Sequence, residues 1–302
     1  MSAWDPRDPR VVAWIEQAVG SGARVVSVEE MPTSATAKHA ITVESRRSIV
    51  ELILRRYHDP DRLGIDPWYD PGNEVKALEL LAESVVPAPL LVAADLGAEI
   101  CDVPALLETR VPGEQAWQPD DLDAYLTGAA EVLVQLHAFA PDGLLELPPY
   151  RPYFSDDPPP HPPAPTCSAH RRMWERAVAV AQSVWPATPI RFIHRDYHPG
   201  NALWDGAGVH GVVDWATAAR GPAGIDLGRM RQNLAGWHGT AVADAFTVRY
   251  VEAGGDPAGR DPFWDLVDAV DSVAYMDEPE APGDGNVDLF EDYVAAVCAE
   301  LR

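Results

Sequence analysis

The spacing of the apolar residues changes about a third of the way along this chain of 302 residues. Before residue 112, five runs rich in β-branched and aliphatic residues predict strands: ARVVSVEEM, HAITVES, SIVELILRRY, VPAPLLVAADL and VPALLETRVPG. After residue 120, apolar residues recur at steps of three and four, as in DDLDAYLTGAAEVLVQLHAFA, and predict helices. We therefore expect an α+β protein with two lobes. Residues 1–112 would form a small five-stranded antiparallel sheet with an inserted helix, PGNEVKALELLAES, and residues 113–302 a larger, mostly helical lobe.

The chain is strongly acidic. It carries 23 lysines and arginines against 47 aspartates and glutamates, a formal charge of −24. Binding to nucleic acids or to anionic membranes requires an excess of basic residues, so neither is expected as a partner. No apolar run is long enough to cross a membrane, the first ten residues lack the apolar core of a signal peptide, and the three cysteines are too far apart for a disulfide framework. We therefore expect a soluble, cytoplasmic protein.

One segment, residues 190–230, carries most of the polar chemistry. Asp196 is followed five residues later by Asn201 and thirteen residues after that by Asp214. Short strand-like runs flank these residues, and strand ends joined by tight turns can bring them together. The oxygens of Asn201 and Asp214 are hard ligands that suit Mg²⁺, and Asp196 is then available to accept a proton from a hydroxyl group. The spacing matches the H-R-D-x-x-x-x-N pattern and the following metal-binding aspartate of the kinase template for phosphoryl transfer.

Two pieces of this segment, HRDYHPGNALW and VVDWATAARGPAGIDL, resemble the aminoglycoside phosphotransferase family of kinase-like small-molecule phosphotransferases. The resemblance implies a bilobal, protein-kinase-like fold. It also implies transfer of a phosphoryl group from ATP or GTP, with Mg²⁺, to a hydroxyl of a small molecule. In that family, Asp196 would be the catalytic base, and Asn201 and Asp214 the metal ligands. Asp226 resembles the family's aspartate that anchors the segment after the metal-binding aspartate, and its position also fits the N-cap of the helix LGRMRQNLAGW.

The same resemblance implies a nucleotide site in the N-terminal lobe. The family's basic residue on the third strand falls at Arg55, with Arg56 as its competitor because neighbouring side chains of a strand point to opposite faces. Glu74, at the start of the following helix, would orient Arg55; the alternative is a solvated glutamate in the first turn, which the helix dipole favours. The other nucleotide contacts are expected at Ser34 and at the backbone of Thr109 and Val111. Ser34 lies in the glycine-free loop MPTSATAKHA, which fits a plain solvent-exposed hairpin loop equally well.

Two other classes of protein fit parts of the pattern. His194, Asp196, His198 and Asp214 could bind the metal of a metal-dependent hydrolase, but that hypothesis leaves Asn201 unexplained. A nucleotide-binding scaffold without activity is the second alternative. The presence of Asp196, Asn201 and Asp214 together argues against it.

The class of acceptor is predicted from charge. Between Gly255 and Arg302 the chain has thirteen acidic residues against two arginines, and carboxylates around a cleft attract cations. We therefore expect a cationic, aminoglycoside-like acceptor, as in antibiotic resistance; the alternatives are a macrolide, a choline-like amine or a sugar. The spacing of Asp261, Asp265, Asp268 and Asp271 fits a solvated helix face equally well.

Overall fold

The computed structural model describes residues 5–32, 36–46, 48–63, 69–155, 168–273 and 286–301. The chain divides into two compact units, residues 1–111 with 213–217, and residues 112–212 with 218–302. The short segment Val213–Thr217 therefore belongs to the first unit, although the residues on either side of it belong to the second. A single boundary near residue 112 would assign this segment to the second unit instead.

The first unit is built on an antiparallel sheet of five strands in the order β1-β2-β3-β5-β4. The strands are β1 (Arg24–Met31), β2 (Ala37–Glu44), β3 (Ile49–Arg56), β4 (Leu91–Asp95) and β5 (Ala105–Thr109), and the helices are α1 (Pro9–Val19) and α2 (Pro71–Leu81). Both helices begin with proline after an aspartate N-cap, Asp8 or Asp70, which accepts a backbone N–H of the first turn. Val11 and Ile15 of α1 pack in one core cluster with residues of the sheet. The five predicted strands and the predicted inserted helix, α2, are all present.

The second unit is mostly helical. Its helices are α3 (Leu122–Ala138), α4 (Arg171–Ala181), α5 (Ala223–His238), α6 (Thr240–Glu252), α7 (Pro262–Asp271) and α8 (Val287–Glu300). Two short antiparallel pairs complete it: β6 (Ile190–Ile193) with β9 (Ala219–Pro222), and β7 (Ala202–Trp204) with β8 (Val209–Val212). Helix α5 contacts α6, α7 and α8, and eleven of its sixteen residues are buried. No described helix is both long and apolar enough to cross a membrane.

Two details of the second unit differ from the sequence prediction. Strand β9 is not predicted, because its sequence, ARGP, contains glycine and proline, yet it pairs in register with β6. Helix α5 begins at Ala223 with Pro222 as its N-cap, so Asp226 lies inside the first turn and is not the cap. The prediction that Asp226 is an N-cap is therefore wrong. Its carboxylate instead accepts the backbone N–H groups of His194 and Arg195.

Candidate active site

Arg55 is the buried cation of the first unit. Its side chain is only 2% exposed, and Nη1 lies 2.9 Å from Oε1 of Glu74, which is fully buried on α2. Arg56 points to the opposite face of β3 and donates from Nε and Nη2 to the carbonyl of Cys101. The structure thus brings together the predicted pair, Arg55 and Glu74, and the alternative of a solvated Glu74 is wrong.

Glu74 also holds the segment that contains the predicted metal ligand. The backbone N–H of Trp215 donates to Oε1 of Glu74 at 3.1 Å, and Nδ2 of Asn73 donates to the carbonyl of Ala216 at 2.8 Å. Burial raises the pKa of Glu74, and the charge of Arg55 opposes that rise. The first turn of α2 is therefore both the partner of Arg55 and the support of the chain next to Asp214.

Asp214 meets two cations of the same sheet. Its carboxylate lies 2.7 Å from Nη2 of Arg55 and 3.3 Å from Nζ of Lys38. Its backbone is left-handed, with φ 71°, which is uncommon for a residue with a Cβ atom. Lys38 is not among the residues predicted from the sequence. It lies directly opposite Arg55 in the pairing of β2 with β3, so the two side chains share one face, and the register of that pairing is the signal that could have found it.

The remaining residues predicted for the nucleotide give less information. Ser34 lies outside the described residues. Thr109 ends β5; its N–H donates to the carbonyl of Leu90 at 2.9 Å, and its Oγ1 accepts the N–H of Leu90 at 2.8 Å. Val111 follows the strand and is partly exposed. Base recognition through the N–H of Thr109 would therefore require a sheet hydrogen bond to break.

Asp196 is the central residue of the second unit's polar cluster. It lies in the loop after β6, its side chain is 32% exposed, and Nε of Arg229 lies 3.1 Å from its Oδ1. His198 Nε2 and Asn201 Nδ2 lie 3.4 and 3.2 Å from its Oδ2, and the same Asn201 nitrogen donates to the Asp196 carbonyl at 2.9 Å. Burial by itself would raise the pKa of Asp196, but His198 and Arg229 together lower it well below its ordinary value. Asp196 is therefore ionised at neutral pH and can accept a hydrogen bond from a hydroxyl group.

Asp226 supports the loop that carries Asp196. Its Oδ2 and Oδ1 accept the backbone N–H groups of His194 and Arg195 at 2.9 and 2.7 Å, and the ring of His137 lies 3.2 Å from Oδ2. Arg195 is left-handed, with φ 72°, a conformation that persists only where its surroundings hold it. Asp226 is fully buried, so its role is to anchor this loop.

Arg229 on α5 is the second residue that the sequence prediction missed. Besides Asp196, it contacts α7: its Nη1 donates to Oγ of Ser272 at 2.6 Å, and its Nε lies 3.8 Å from Oδ1 of Asp268. Burial raises the pKa of Asp268 to about 7, and Arg229 opposes that rise. A position three residues after Asp226 on the same helix is the only signal in the sequence, because three residues along a helix return to the same face.

The acidic face of α7 is not solvated. Three of its aspartates are buried, namely Asp265, Asp268 and Asp271, which are 2, 2 and 5% exposed. Asp265 lies 3.2 Å from Nε of Arg231, and Asp271 lies 3.3 Å from Nη2 of Arg195. Asp261 is the N-cap of α7. The interpretation of these residues as a solvated helix face is therefore wrong for three of the four, whose charges are balanced by arginines of the same unit.

The two predicted metal ligands have the chemistry that Mg²⁺ requires. Asp214 supplies a carboxylate and Asn201 an amide oxygen, both hard donors. Because Nδ2 of Asn201 is directed at Asp196, the amide oxygen is the atom that points away from that carboxylate. Among the described residues, no group of three or more histidine, cysteine, aspartate and glutamate side chains could hold a metal ion. His194, a ligand in the hydrolase hypothesis, is fully buried, and its Nδ1 accepts the N–H of Asp196.

The strand arginine paired with a helix glutamate in the first unit matches the kinase template for phosphoryl transfer, and so does the aspartate followed by asparagine in the second unit. Residues 34–263 match the model of the phosphotransferase enzyme family, APH, and the chain belongs to this family. It is therefore an enzyme that transfers a phosphoryl group to an alcohol. A search of curated proteins finds no significant match.

Solved structures with the same fold include three with different acceptors in their names. The aminoglycoside phosphotransferase APH(4)-Ia, in a ternary complex of a thermostable mutant with AMP-PNP and hygromycin B, is 15% identical, with a TM-score of 0.63 and coverage of 96% of this chain and 98% of that one. A microcompartment-associated aminopropanol kinase is 17% identical, with a TM-score of 0.61 and coverage of 95% of both chains. The macrolide 2′-phosphotransferase MphH from Brachybacterium faecium, an apoenzyme, is 15% identical, with a TM-score of 0.56 and coverage of 96% of this chain and 98% of that one. At these identities the likeness establishes the kinase-like fold.

Proposed function

We propose that this protein transfers the γ-phosphoryl group of ATP or GTP to a hydroxyl of a small molecule. The observation that carries the proposal is the state of Asp196: an ionised, partly exposed carboxylate, held by Asn201, His198 and Arg229 in a loop that Asp226 anchors. A carboxylate restrained in this way can receive the proton of an acceptor hydroxyl. The AMP-PNP complex of APH(4)-Ia supports a nucleoside triphosphate as the donor.

In the proposed reaction, the acceptor hydroxyl donates its proton to Asp196 while its oxygen forms a bond to the γ-phosphorus. The bond between that phosphorus and the bridging oxygen of the β-phosphate breaks, and the nucleoside diphosphate leaves with the electron pair. Arg55 and Lys38, released from Asp214, would bind the phosphate oxygens, and Glu74 keeps Arg55 in place. Asn201 and Asp214 would hold Mg²⁺, which neutralises phosphate charge when it is bound.

The cationic, aminoglycoside-like acceptor is the finer part of the proposal, and with it a role in antibiotic resistance. The hygromycin B complex of APH(4)-Ia supports such an acceptor. The acidity of α7 supports it less than the sequence suggests, because Asp265, Asp268 and Asp271 are buried beside arginines. The macrolide and aminopropanol enzymes of the same fold keep other acceptors open to test.

The test is a screen of hydroxylated small molecules with Mg·ATP and Mg·GTP, in which product masses are measured. The expected result is a product heavier by one phosphoryl group, formed by the wild type and lost in Asp196→Asn. A panel of aminoglycosides, macrolides, amino alcohols and sugars distinguishes the acceptor classes. Failure of every acceptor with both nucleotides, in a protein that binds nucleotide, would contradict the proposed function and favour the scaffold alternative.

A further inference from the structure

Helix α5 exposes very little of its surface. Between Gly224 and Gly236 every residue is buried except Arg229 and Asn233, which are partly exposed. Residues four apart share one face of a helix, and Nδ2 of Asn233 donates to the carbonyl of Arg229 at 2.7 Å. The exposed part of this stretch of helix is therefore one short polar stripe, and its first residue contacts Asp196.

Arg229 is held firmly beside the catalytic carboxylate. Its Nε lies 3.1 Å from Oδ1 of Asp196, and its side chain keeps 13% of its exposure. Its Nη1 donates to Oγ of Ser272 at 2.6 Å, and the same hydroxyl accepts from Nε2 of Gln232 at 2.7 Å and donates to the carbonyl of Asp268 at 2.9 Å. The Ser272 hydroxyl already makes three hydrogen bonds. Moving the Arg229 guanidinium away when a substrate binds would therefore break its hydrogen bond to this hydroxyl.

An acceptor that reacts at Asp196 must bring its hydroxyl within hydrogen-bond distance of that carboxylate. A substituent on the next carbon of such an acceptor can then lie beside Arg229, because Nε of Arg229 is 3.1 Å from Oδ1 of Asp196. Arginine only donates hydrogen bonds, so an oxygen at that position can accept one, whereas an ammonium group has no acceptor to offer and carries a like charge. The carboxylates of α7 nearest to this point are 2 and 5% exposed at Asp268 and Asp271, so they do not present a compensating surface to the acceptor.

We infer that Arg229 makes this enzyme select acceptors whose reacting hydroxyl is flanked by an oxygen, a vicinal diol of the kind that a sugar ring or polyol carries, and reject those in which an ammonium group flanks it. The inference rests on the proposed function and restricts its acceptor class. A polycationic acceptor remains compatible if oxygens, rather than amines, flank its reacting hydroxyl. Simple 1,2-amino alcohols are excluded as good substrates.

The experiment compares matched acceptors that share one ring and differ in a single group. The probes are a glycoside phosphorylated in the screen and its aminodeoxy analogue, with the amine on the carbon next to the phosphorylated position. For the wild type, we expect kcat/KM for the diol to exceed that for the aminodeoxy analogue by about tenfold or more. A tenfold ratio corresponds to ~1.4 kcal/mol. For Arg229→Gln we expect this ratio to fall to about one, whereas Arg229→Lys, which keeps the charge, retains most of it.

Arg172→Gln is the matched control, because Arg172 is an exposed arginine of α4, and it should leave the ratio unchanged. Nucleotide binding and thermal unfolding check that Arg229→Gln is folded. If it is not, Ser272→Ala, which removes the hydroxyl that holds the guanidinium, should narrow the ratio in the same direction. The inference would be overturned by a wild-type kcat/KM ratio near one, or by a ratio that neither Arg229→Gln nor Ser272→Ala changes. Either result would leave the proposed phosphotransferase activity standing. Absence of any phosphorylated acceptor would instead overturn the proposed function itself.

Discussion

The two units each contain an aspartate that is 32% exposed and paired with an arginine, but they hold these pairs differently. In the first unit, Asp214 and the buried Glu74 face Arg55 and Lys38, so two carboxylates balance two cations. In the second unit, Asp196 is restrained by hydrogen-bond donors of its own loop and by Arg229, which is itself held by the neutral hydroxyl of Ser272, the C-cap of α7. Under the proposed function, phosphate groups would enter the first, charge-balanced cluster by displacing a carboxylate. In the second cluster, hydrogen bonds and Arg229 fix the position of a single carboxylate, that of Asp196.

The largest expected effect separates the two aspartates. Asp196→Asn keeps the shape of the loop but removes the proton acceptor, so kcat should fall by about 10²–10⁴ with little change in nucleotide affinity. Asp214→Asn should show the opposite pattern, with the main loss in Mg²⁺-dependent nucleotide binding. Single-turnover kinetics and calorimetric titration of nucleotide with and without Mg²⁺ measure both quantities. Wild-type kcat in Asp196→Asn would show that another group accepts the proton.

Glu74→Gln tests the charge balance of the first unit. The substitution leaves Arg55 buried with one carboxylate fewer, and breaking a buried ion pair costs about 3 kcal/mol of the free energy of unfolding. Urea unfolding measures the loss. Glu79→Gln, on the same helix but 52% exposed and paired with Lys76, is the control and should cost less than ~0.5 kcal/mol. Equal effects of the two substitutions would mean that the buried pair carries no special weight.

Asp268→Asn tests how one buried carboxylate of the second unit makes the free energy of unfolding depend on pH. The pKa of Asp268 is raised from 3.8 to about 7 in the folded state, so the folded protein binds this proton more tightly than the unfolded chain does. Its contribution to stability is complete below the unfolded pKa and is lost as the pH rises through about 7. The free energy of unfolding of Asp268→Asn, relative to wild type, should therefore rise between about pH 4 and pH 7, by on the order of 2 kcal/mol. A difference that is flat over this range would place Asp268 in its ionised form throughout.

Lys38→Met is expected to have the smallest effect. Lys38 is 24% exposed and shares Asp214 with the more buried Arg55, so its loss should raise the KM for nucleotide about three- to tenfold and change kcat little. The chain has one other lysine, Lys76, and Lys76→Met is the matched control. Steady-state kinetics with varied nucleotide and saturating acceptor measure both variants. An unchanged KM would remove Lys38 from the phosphate contacts.

The sequence was sufficient for what depends on local pattern or on the phosphotransferase motif. Strand alternation separates Arg55 from Arg56, and the five strands of the first unit follow from short β-branched runs. Lys38 and Arg229 were missed because their partners are set by strand register and by helix packing, which spacing along the chain does not reveal. The alternative of a solvated face on α7 is wrong for the same reason: three-residue spacing of aspartates describes a face but not what packs against it. The cytoplasmic location remains a prediction.

The burial of α5 bears on how such an enzyme can acquire new substrates over evolution. A substitution at most positions of this helix disturbs the core or, at Asp226, the anchor of the catalytic loop. Arg229 and Asn233 are the partly exposed residues between Gly224 and Gly236, so substitutions there disturb the packing of this stretch least, although a change at Arg229 also removes the cation beside the buried Asp268. Within this helix, changes in acceptor preference are therefore most readily made at residues 229 and 233. Because Arg229 is the residue inferred to reject an ammonium group, laboratory evolution toward amine-bearing acceptors should first select a substitution at residue 229.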